Sequence, residues 1–378
     1  MKKMLSILLA VTMVCGMAAC GKKEAPAPTT AAPAQTEAKK EETKGEAKAE
    51  ETKGEEKKEE ALEQTKSLVL YTSASTSEYE LIVKLFNEKY PDIEVEIVSA
   101  GTGELASRIV AEAENPAGDV LMGGGTSNYE AIAEYLDDYT SQNINDIFEN
   151  FRPASTKWTP CYINVNSIII NNSLAKELGV TVDGWESLTN EALKGRIAFA
   201  DPSASASALE QLVNMLTAMS TTDSPDGGWE FVQRFLKNLD GKISSSSSAC
   251  YKGVVEGEYA VGLTNEDKAI SYLSAGADVS VAYPKEGITL RTSNTGIIKG
   301  GANPYNARLF VDFVTSKECQ TQMESQLYVR PVRKDVPMTT EGRVATDDLV
   351  SLAYPTDWIK ENSDSVKVQF QDTWTSLD

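Results

Sequence analysis

The sequence predicts an α/β protein made of two doubly wound lobes with a ligand cleft between them. Beyond residue 66 the chain opens with a strand–helix–strand–helix–strand pattern, and a second alternating block starts near residue 196. Alternation of this kind builds a parallel sheet covered by helices on both faces. The chain beyond residue 66 is long for one hydrophobic core and short for three, so we expect two lobes.

Residues 1–20 have the composition of a secretory leader. Two lysines precede an apolar run that is too short to span a bilayer, and small residues lead to Cys20. This ending resembles the lipobox of bacterial lipoproteins, in which the cysteine is lipidated and becomes the mature N-terminus, although Met17 replaces the preferred leucine. We expect a lipid anchor at Cys20 on the outer face of the cell membrane; the alternative is an ordinary secreted protein with a chance cysteine.

Residues 21–66 form a spacer of low complexity. The segment is nearly all Lys, Glu, Ala, Thr, Pro and Gly, with Leu62 as its one large aliphatic side chain. Such a composition cannot bury enough apolar surface to offset the entropy of ordering. We therefore predict a flexible linker that holds a folded domain away from a lipid surface.

Three strands and two helices are predicted in the first block. Short apolar or alternating runs at residues 67–71, 93–97 and 119–122 are typical of strands. Helical spacing of apolar residues follows the first two runs, and Pro91 and Pro116 end these helices.

The second block repeats this organisation. Strands are predicted at residues 196–200 and 259–263. Helices should follow the serine-rich loop that ends at Ser207, begin near Tyr251, and follow Asp267.

Two further runs are predicted to connect the lobes. Residues 162–170 form a strand-like run suited to crossing from one lobe to the other, and residues 279–284 are interpreted as the return crossing. The resulting division is lobe 1 at 67–161 and 285–340, lobe 2 at 162–284, and a C-terminal helical segment at 341–378.

Loops rich in hydroxyl groups recur between a strand and the helix that follows it. Ligands of open α/β sheets lie beyond the carboxyl ends of the strands, and helix N-termini there bind anions. For any single loop the Ser and Thr residues are better explained as ordinary cap or turn residues, but five such loops together favour a ligand site. The candidate residues are Thr72, Ser73, Ser75, Gly125, Thr126, Ser127, Ser203, Ser205, Ser207, Ser247, Ser248, Asn265, Glu266 and Asp267.

Charge and composition exclude several classes of protein. The net charge is −20, and it resides beyond the linker because the excess acid of the linker cancels the two lysines of the leader. An acidic domain argues against nucleic acid as a partner. The chain contains no histidine, which excludes Ser-His-Asp, Cys-His and HExxH chemistry. Cys161, Cys250 and Cys319 allow one disulfide at most, and we expect three buried thiols.

Four segments, in consistent order between about residues 67 and 336, carry a family resemblance. Residues 68–73, 118–125, 200–205 and 307–318 resemble the solute-binding proteins of ABC importers, in the branch that holds ferric-ion, sugar-phosphate and phosphonate binders. The resemblance implies a type II periplasmic binding fold with a two-strand hinge. It implies a monomer that delivers a small anionic solute to the permease transmembrane subunits, with no catalysis, no cofactor and no metal site.

The family divides by ligand, and one place in this sequence separates the branches. Tyrosine-dependent ferric binders carry adjacent tyrosines after the strand that ends here at Leu263, whereas this chain has Asn265, Glu266 and Asp267. We expect the two carboxylates to accept hydrogen bonds from sugar hydroxyls or an amine, with helix capping as the alternative. The resemblance thus favours a phosphorylated sugar or a phosphonate-like solute.

Basic residues near the cleft are few. Lys285, Arg291 and Arg330 are the candidates, and Arg330 belongs to a segment that lies near the cleft or hinge in the family. For Arg330 we nevertheless expect a surface position.

Three other functions stay open. One is a ferric-iron-binding protein of an ABC importer that uses Glu266 and Asp267 as hard oxygen ligands. Another is an extracytoplasmic enzyme, such as a glycosidase with paired carboxylates, which needs no histidine. The third is an adhesin-like surface protein, which would not need the repeated helix-end loops.

Overall fold

The computed structural model describes residues 62–377. The predictions for the leader, for Cys20 and for the linker up to residue 61 lie outside the described residues. Strands in the described part are β1 Ser67–Thr72, β2 Glu94–Ser99, β3 Val120–Met122, β4 Thr159–Asn171, β5 Ile197–Ala198, β6 Val261–Asn265, β7 Val279–Ala282, β8 Ile288–Ile297 and β9 Ser351–Leu352.

Helices alternate with these strands. They are α1 Thr76–Lys89, α2 Thr102–Ala111, α3 Thr126–Ala131, α4 Asn172–Leu178, α5 Ala206–Ala218, α6 Trp229–Asn238, α7 Ser247–Val255, α8 Glu266–Ser274, α9 Pro304–Val314, α10 Lys317–Leu327 and α11 Thr356–Thr375. Short 3-10 turns lie at Ala133–Tyr135, Ile144–Asp146, Glu149–Phe151, Glu186–Thr189, Glu191–Leu193, Pro225–Gly228 and Thr346–Asp348.

Lobe 1 is organised around β1. This strand pairs in parallel with β2 on one side and with β3 on the other, and β3 pairs antiparallel with the end of β8. Helix α1 ends just before Pro91, as predicted, because proline cannot continue a helix. Helix α2 ends at Ala111, five residues before Pro116, so the prediction that Pro116 ends this helix is wrong. The three predicted strands of the first block all form.

Side chains of β1 alternate between two apolar clusters. Leu68 and Leu70 pack into one cluster together with Phe86 and Phe310, whereas Tyr71 packs into the other. Since successive side chains of a strand point to opposite faces, the sheet of lobe 1 is covered on both sides. This double coverage is typical of α/β proteins.

Lobe 2 has its own sheet and its own core. Strand β4 lies between β6 and β7 and pairs antiparallel with both, and β5 pairs in parallel with β6. The C-terminal helix α11 packs on this lobe, where the ring of Phe370 lies 6.1 Å from that of Phe199 and Gln371 donates to Asp201. The exact lobe bounds given above stay a prediction.

The hinge is formed by β4 and β8. The first half of β4 pairs with β8 from Thr159 to Val165, and its second half pairs with β6 and β7 inside lobe 2. The interpretation of residues 279–284 as the return crossing is therefore wrong, because β7 pairs with Ile168–Asn171 within lobe 2. Both β7 and β8 have strand patterns in sequence, and the pattern does not specify the pairing partner.

The N-terminal side of β1 is attached to lobe 1. The amide nitrogen of Asn306, in α9, donates to the carbonyl oxygen of Thr65 at 3.1 Å and to its hydroxyl at 2.8 Å. Asn306 itself is fully buried, so these bonds fasten the chain before β1 against lobe 1.

The cysteines of the described part are free thiols. Cys161, Cys250 and Cys319 are all buried, as expected from the sequence. Burial raises the pKa of Cys250 to about 12, so this thiol stays protonated at neutral pH. Between residues 62 and 377 no helix has both the length and the apolarity needed to cross a bilayer.

Candidate functional site

A cavity between the lobes adjoins a second cavity inside lobe 2. One, the central cavity, has a volume of about 220 Å³ and is lined by the β1–α1 loop of lobe 1, the first turn of α8 in lobe 2 and the hinge strands. The other, the serine cavity, has a volume of about 110 Å³ and lies in lobe 2. Asn265 and Lys268 line both cavities, so the two are neighbours with a shared wall.

Three helices of lobe 2 supply the walls of the serine cavity near their N-termini. Ser207 belongs to the first turn of α5, Ser247 and Ser248 open α7, and Asn265 precedes α8. Helix N-termini carry unpaired N–H groups and partial positive charge, which favours an anion. The side chain of Lys268 adds the charged group of this wall.

Polar atoms in the serine cavity lack partners within the protein. The amide nitrogen of Gln211 and the amide oxygen of Asn265 are buried without a hydrogen bond. Gln211 is only 1% exposed. Because an unsatisfied buried donor costs about 1–3 kcal/mol, a bound acceptor at this place would recover that free energy.

The hydroxyl loops of lobe 2 divide into cavity residues and capping residues. Ser207 and Ser248 line the cavity, and their hydroxyls pair with those of Ser205 and Ser246 at 3.1 and 2.8 Å. Ser205 is the N-cap of α5 and accepts the N–H of Ala208 at 3.3 Å. For Ser205 the structure thus shows the capping role that was the alternative.

Ser203 lies elsewhere. Its N–H donates to Asp201 at 2.7 Å, and its hydroxyl accepts a 3.5 Å bond from Gln371 of α11. Neither the central nor the serine cavity includes it.

In lobe 1 the β1–α1 loop meets the central cavity through Ser73 and Ser75. The hydroxyl of Ser73 accepts a 2.9 Å bond from Thr102 at the start of α2. Thr72 is fully buried, and its hydroxyl accepts the N–H of Ala74. Thr72 therefore stabilises the conformation of the loop and is not accessible to a solute. Ser73 and Ser75 are therefore the accessible members of this loop.

A carboxylate that the sequence analysis missed occupies the N-terminus of α1. Glu78 accepts the N–H of Ser75 at 2.7 Å and its hydroxyl at 2.8 Å, and it lines the central cavity. Burial raises the pKa of Glu78; the bonds from Ser75 and the charge of Lys268 oppose that shift, while the charge of Asp267 adds to it. The Ser-x-x-Glu spacing is visible in sequence, but it predicts only a capping box.

Across the cavity, Asp267 and Lys268 form an ion pair in the first turn of α8. Their charged atoms are 2.7 Å apart, and their side chains are 21% and 43% exposed. Burial alone would lower the pKa of Lys268, but the carboxylates of Asp267 and Glu78 outweigh burial and raise it. Lys268 is therefore a cation at neutral pH.

Glu266 borders the central cavity together with Arg330, but its side chain is buried and bonded to protein groups. Its carboxylate accepts from Arg330, from Arg343 at 2.9 Å and from the hydroxyl of Tyr283 at 2.5 Å, and Arg343 also pairs with Glu324. Burial alone would raise the pKa of Glu266, but the guanidinium groups of Arg330 and Arg343 outweigh it and hold the pKa below its ordinary value. A ligand-contacting role for Glu266 stays a prediction.

The expected surface position of Arg330 is wrong. Arg330 is 1% exposed, because two of its guanidinium nitrogens bind the carboxylate of Glu266 and a third donates to Thr346 at 3.0 Å. A buried guanidinium persists only when it is paired in this way.

Gly125, Thr126 and Ser127 line a third cavity, the side cavity, of about 460 Å³. Arg291 projects into it, pairs with Glu210 of α5 and lies over the ring of Tyr354 at 5.0 Å from the centroid. The predicted loop residues are thus distributed over separate cavities. The other predicted cation, Lys285, pairs at the exposed surface with Asp183.

Comparisons with known proteins identify the family and the fold. Residues 82–349 match the family model described as bacterial extracellular solute-binding protein. An uncharacterised protein of Haemophilus influenzae is 31% identical over 265 residues, which cover 67% of this chain and 74% of that protein. A candidate 2-aminoethylphosphonate-binding periplasmic protein of Salmonella typhimurium is 25% identical over 259 residues, covering 67% and 74% of the two chains.

Two solved structures share the fold. The periplasmic binding protein AfuA of Actinobacillus pleuropneumoniae, with exogenous fructose-6-phosphate bound, aligns with a TM-score of 0.67 at 24% identity, over 82% of this chain and 99% of AfuA. Iron-bound HitA of Pseudomonas aeruginosa aligns with a TM-score of 0.65 at 22% identity, over 80% of this chain and 99% of HitA. These likenesses confirm the predicted two-lobe α/β fold of the type II periplasmic binding class.

Proposed function

Because this chain belongs to the family of bacterial extracellular solute-binding proteins, and so serves an ABC importer, we propose that its solute is a small phosphate ester or phosphonate. The tetrahedral oxyanion of this solute occupies the serine cavity of lobe 2. The protein captures the solute outside the cytoplasm and delivers it to the permease. It performs no chemistry on the solute.

One observation carries the choice of an oxyanion. Gln211 presents a buried N–H₂ donor without a partner to the same small cavity that Ser207, Ser247 and Ser248 line. A donor needs an acceptor, and the hydroxyls can also donate. An oxyanion with several acceptor oxygens satisfies these groups at once, and Lys268 supplies the nearby positive charge.

Relatives support the same class of solute. The Salmonella typhimurium protein is named for a phosphonate, and the AfuA structure contains a sugar phosphate. Both compounds present a tetrahedral phosphorus oxyanion on a small organic body. A binding site that holds the oxyanion in lobe 2 and the organic body in the central cavity would suit either one.

Ferric ion is the alternative within the family. A hard cation is bound by carboxylate or phenolate oxygens. Within residues 62–377 no three His, Cys, Asp or Glu side chains gather in a way that could hold a metal ion. The two carboxylates in the first turn of α8 are also divided, since Glu266 is paired with two arginines while Asp267 pairs with Lys268. This arrangement favours the oxyanion.

The relatives support a location outside the cytoplasm, and Cys20 supports attachment to the membrane. The named relatives are periplasmic binding proteins. For this chain, the lipobox-like leader supports a lipid anchor at Cys20 and a flexible linker at residues 21–66. The folded domain would then work as a monomer on the outer face of the membrane.

Calorimetric titration of the purified domain tests the proposal. The titrants are inorganic phosphate, 2-aminoethylphosphonate, fructose 6-phosphate and ferric citrate. We expect at least one phosphorus compound to bind, and Gln211→Leu and Ser248→Ala to weaken it by about 1–3 kcal/mol each. Ser203→Ala is the matched control, because Ser203 lies outside both cavities, and its affinity should equal that of the unmodified protein.

Two results would contradict the proposal. If ferric ion bound tightly and no phosphorus compound bound, the protein would be an iron-binding member of the family. Equal affinities for the Ser248→Ala and Ser203→Ala variants would remove the serine cavity from the site.

A further inference from the structure

The chain crosses from one lobe to the other again after the two hinge strands. Thr339 is bound to lobe 1, because its N–H and its hydroxyl each donate to the carboxylate of Glu324 in α10 at 3.0 Å. Val344 packs against the core of lobe 2, and Leu349 is buried in that core. Residues 339–344 therefore connect the two lobes, and we call them the strap.

Arg343 joins the lobes through its guanidinium group. Nη1 donates to Glu324 of lobe 1 at 3.3 Å, and Nη2 donates to Glu266, the first residue of α8 in lobe 2, at 2.9 Å. The side chain of Arg343 is 0% exposed, and those of Glu324 and Glu266 are 1% and 3% exposed. Solvent screens buried charges only weakly, so Arg343 attracts both carboxylates more strongly than it would in an exposed ion pair.

The bonds of Arg343 depend on where the two lobes lie. An arginine commonly binds one carboxylate with two parallel N–H groups, and Arg330 binds Glu266 in this way. Arg343 instead makes one bond to each of two carboxylates, and its Nε is buried without a hydrogen-bond partner among the described residues. Rotation of one lobe against the other would change the separation of Glu324 and Glu266, and with it both bonds of Arg343.

Close packing at Gly342 holds the strap against lobe 2. Gly342 has a φ of +83°, which favours glycine, and a Cβ at this position would lie 2.4 Å from Cδ2 of Leu273 in α8. Arg343 contacts the first turn of the same helix through Glu266. The strap therefore contacts α8 at both of its ends.

We propose that the strap is a third element of the hinge, and that Arg343 is a positioning residue that sets the angle between α8 and lobe 1. The first turn of α8 carries Asp267 and Lys268, which line the central cavity together with the β1–α1 loop of lobe 1. A set angle keeps these two walls of the cleft facing each other before a solute binds. This role is independent of which solute the cleft takes.

Distances between spin labels on the two lobes test the inference. The labels are attached at Glu88→Cys in α1 of lobe 1 and Glu230→Cys in α6 of lobe 2, which are both exposed positions. Cys15 and Cys20 are replaced by alanine in the full chain, and the other native thiols are buried. Pulsed electron paramagnetic resonance without solute then gives the distribution of distances between the lobes. We expect a narrow distribution for this labelled protein.

Two variants release lobe 1 from the strap. Glu324→Gln removes the charge that attracts Arg343 and keeps an acceptor for the N–H of Thr339. The double variant Arg343→Met/Glu324→Gln removes the bridge completely. It leaves Glu266 paired with Arg330, so the remaining buried charges balance and the fold is retained. We expect a wider distribution of distances in both variants, because the angle between the lobes is then held by the hinge strands alone.

Glu318→Gln is the matched control. Glu318 also lies in α10, but it is 58% exposed and pairs with Lys89 inside lobe 1, so its replacement should leave the distribution unchanged. Thermal melting verifies that each labelled variant is folded. A folded double variant with an unchanged distribution would overturn the inference. An equal widening in Glu318→Gln, or a wide distribution before any of these three replacements, would overturn it too.

Discussion

Arg330 holds both carboxylate oxygens of Glu266 with two nitrogens of its guanidinium group, in the interior between the hinge and lobe 2. The backbone of Arg330 also bonds to Ile163 of the hinge strand β4, at 2.9 Å. Glu266 is the first residue of α8, so the pair fixes the helix end that carries Asp267 and Lys268. The site residues of lobe 2 are thus positioned by a charge pair that need not touch the solute.

Replacement of Arg343 should lower the free energy of unfolding, because Arg343 is part of a buried network of charges with Glu266 and Glu324. Arg343→Met leaves Glu324 without its guanidinium partner and Glu266 with one partner fewer, and all three side chains are at most 3% exposed. We expect a loss of about 3–5 kcal/mol in the free energy of unfolding, measured by urea denaturation. Arg234→Met is the control, because Arg234 and Glu186 are 45% and 51% exposed, and it should cost about 0–1 kcal/mol. Similar losses in the two variants would show that the buried network stabilises the fold no more than an exposed ion pair does.

Acid should weaken the fold through Glu266. The pKa of this carboxyl lies below its ordinary value of 4.5 in the folded protein, because the charges of Arg330 and Arg343 outweigh burial. Its contribution to stability is therefore present above that ordinary value and is lost as the pH falls through the lowered pKa. Thermal melting followed from neutral to acidic pH should fall less steeply for Glu266→Gln than for the unmodified protein. Parallel curves would show that Glu266 does not carry the acid sensitivity.

Ser205 and Ser207 should separate stability from affinity. Ser205 caps α5, so Ser205→Ala should lower the free energy of unfolding by about 1 kcal/mol and change solute affinity little. Ser207 lines the serine cavity, so Ser207→Ala should weaken solute binding and leave the melting temperature nearly unchanged. Calorimetric titration and thermal melting of both variants provide the comparison. The reverse pattern would place Ser205 in the site and Ser207 in the cap.

Cys20 should determine membrane attachment. If the lipid is attached there, Cys20→Ala either releases the protein into the medium or accumulates the uncleaved precursor. Cys15→Ala, five residues earlier in the same leader, is the matched control and should remain in the membrane fraction. Fractionation with immunodetection measures both, and the size of the detected band separates precursor from processed protein. Processed Cys20→Ala protein that remains in the membrane fraction would contradict the anchor.

Local chemistry explains why much of the fold was predictable. The strands before the Ser73 and Gly125 loops were recognised from short apolar runs, and the end of α1 from Pro91. Ser247 and Ser248 were assigned to the site because serines before a helix indicate an accessible N-terminus, and both line a cavity.

Long-range pairing explains what the sequence could not provide. Glu266 was identified at the right helix end, but Arg343 lies 77 residues further along the chain, and nothing local predicts their contact. Glu78 fits a capping box, and only the approach of lobe 2 makes it a cavity residue. Thr72 belongs to the same hydroxyl run as Ser73, and burial of β1 removes it from the cavity.

The bonds between Asn306 and Thr65 give the two lobes unequal mechanical roles. A pull applied through the chain before β1 loads lobe 1 and bypasses lobe 2. Relative to that attachment point lobe 1 is fixed. A movement of the hinge strands therefore rotates lobe 2, together with α11, against lobe 1. On cleft closure, the surface of lobe 2 would change its orientation relative to a partner bound there. The surface of lobe 1 would keep its orientation relative to its own partner.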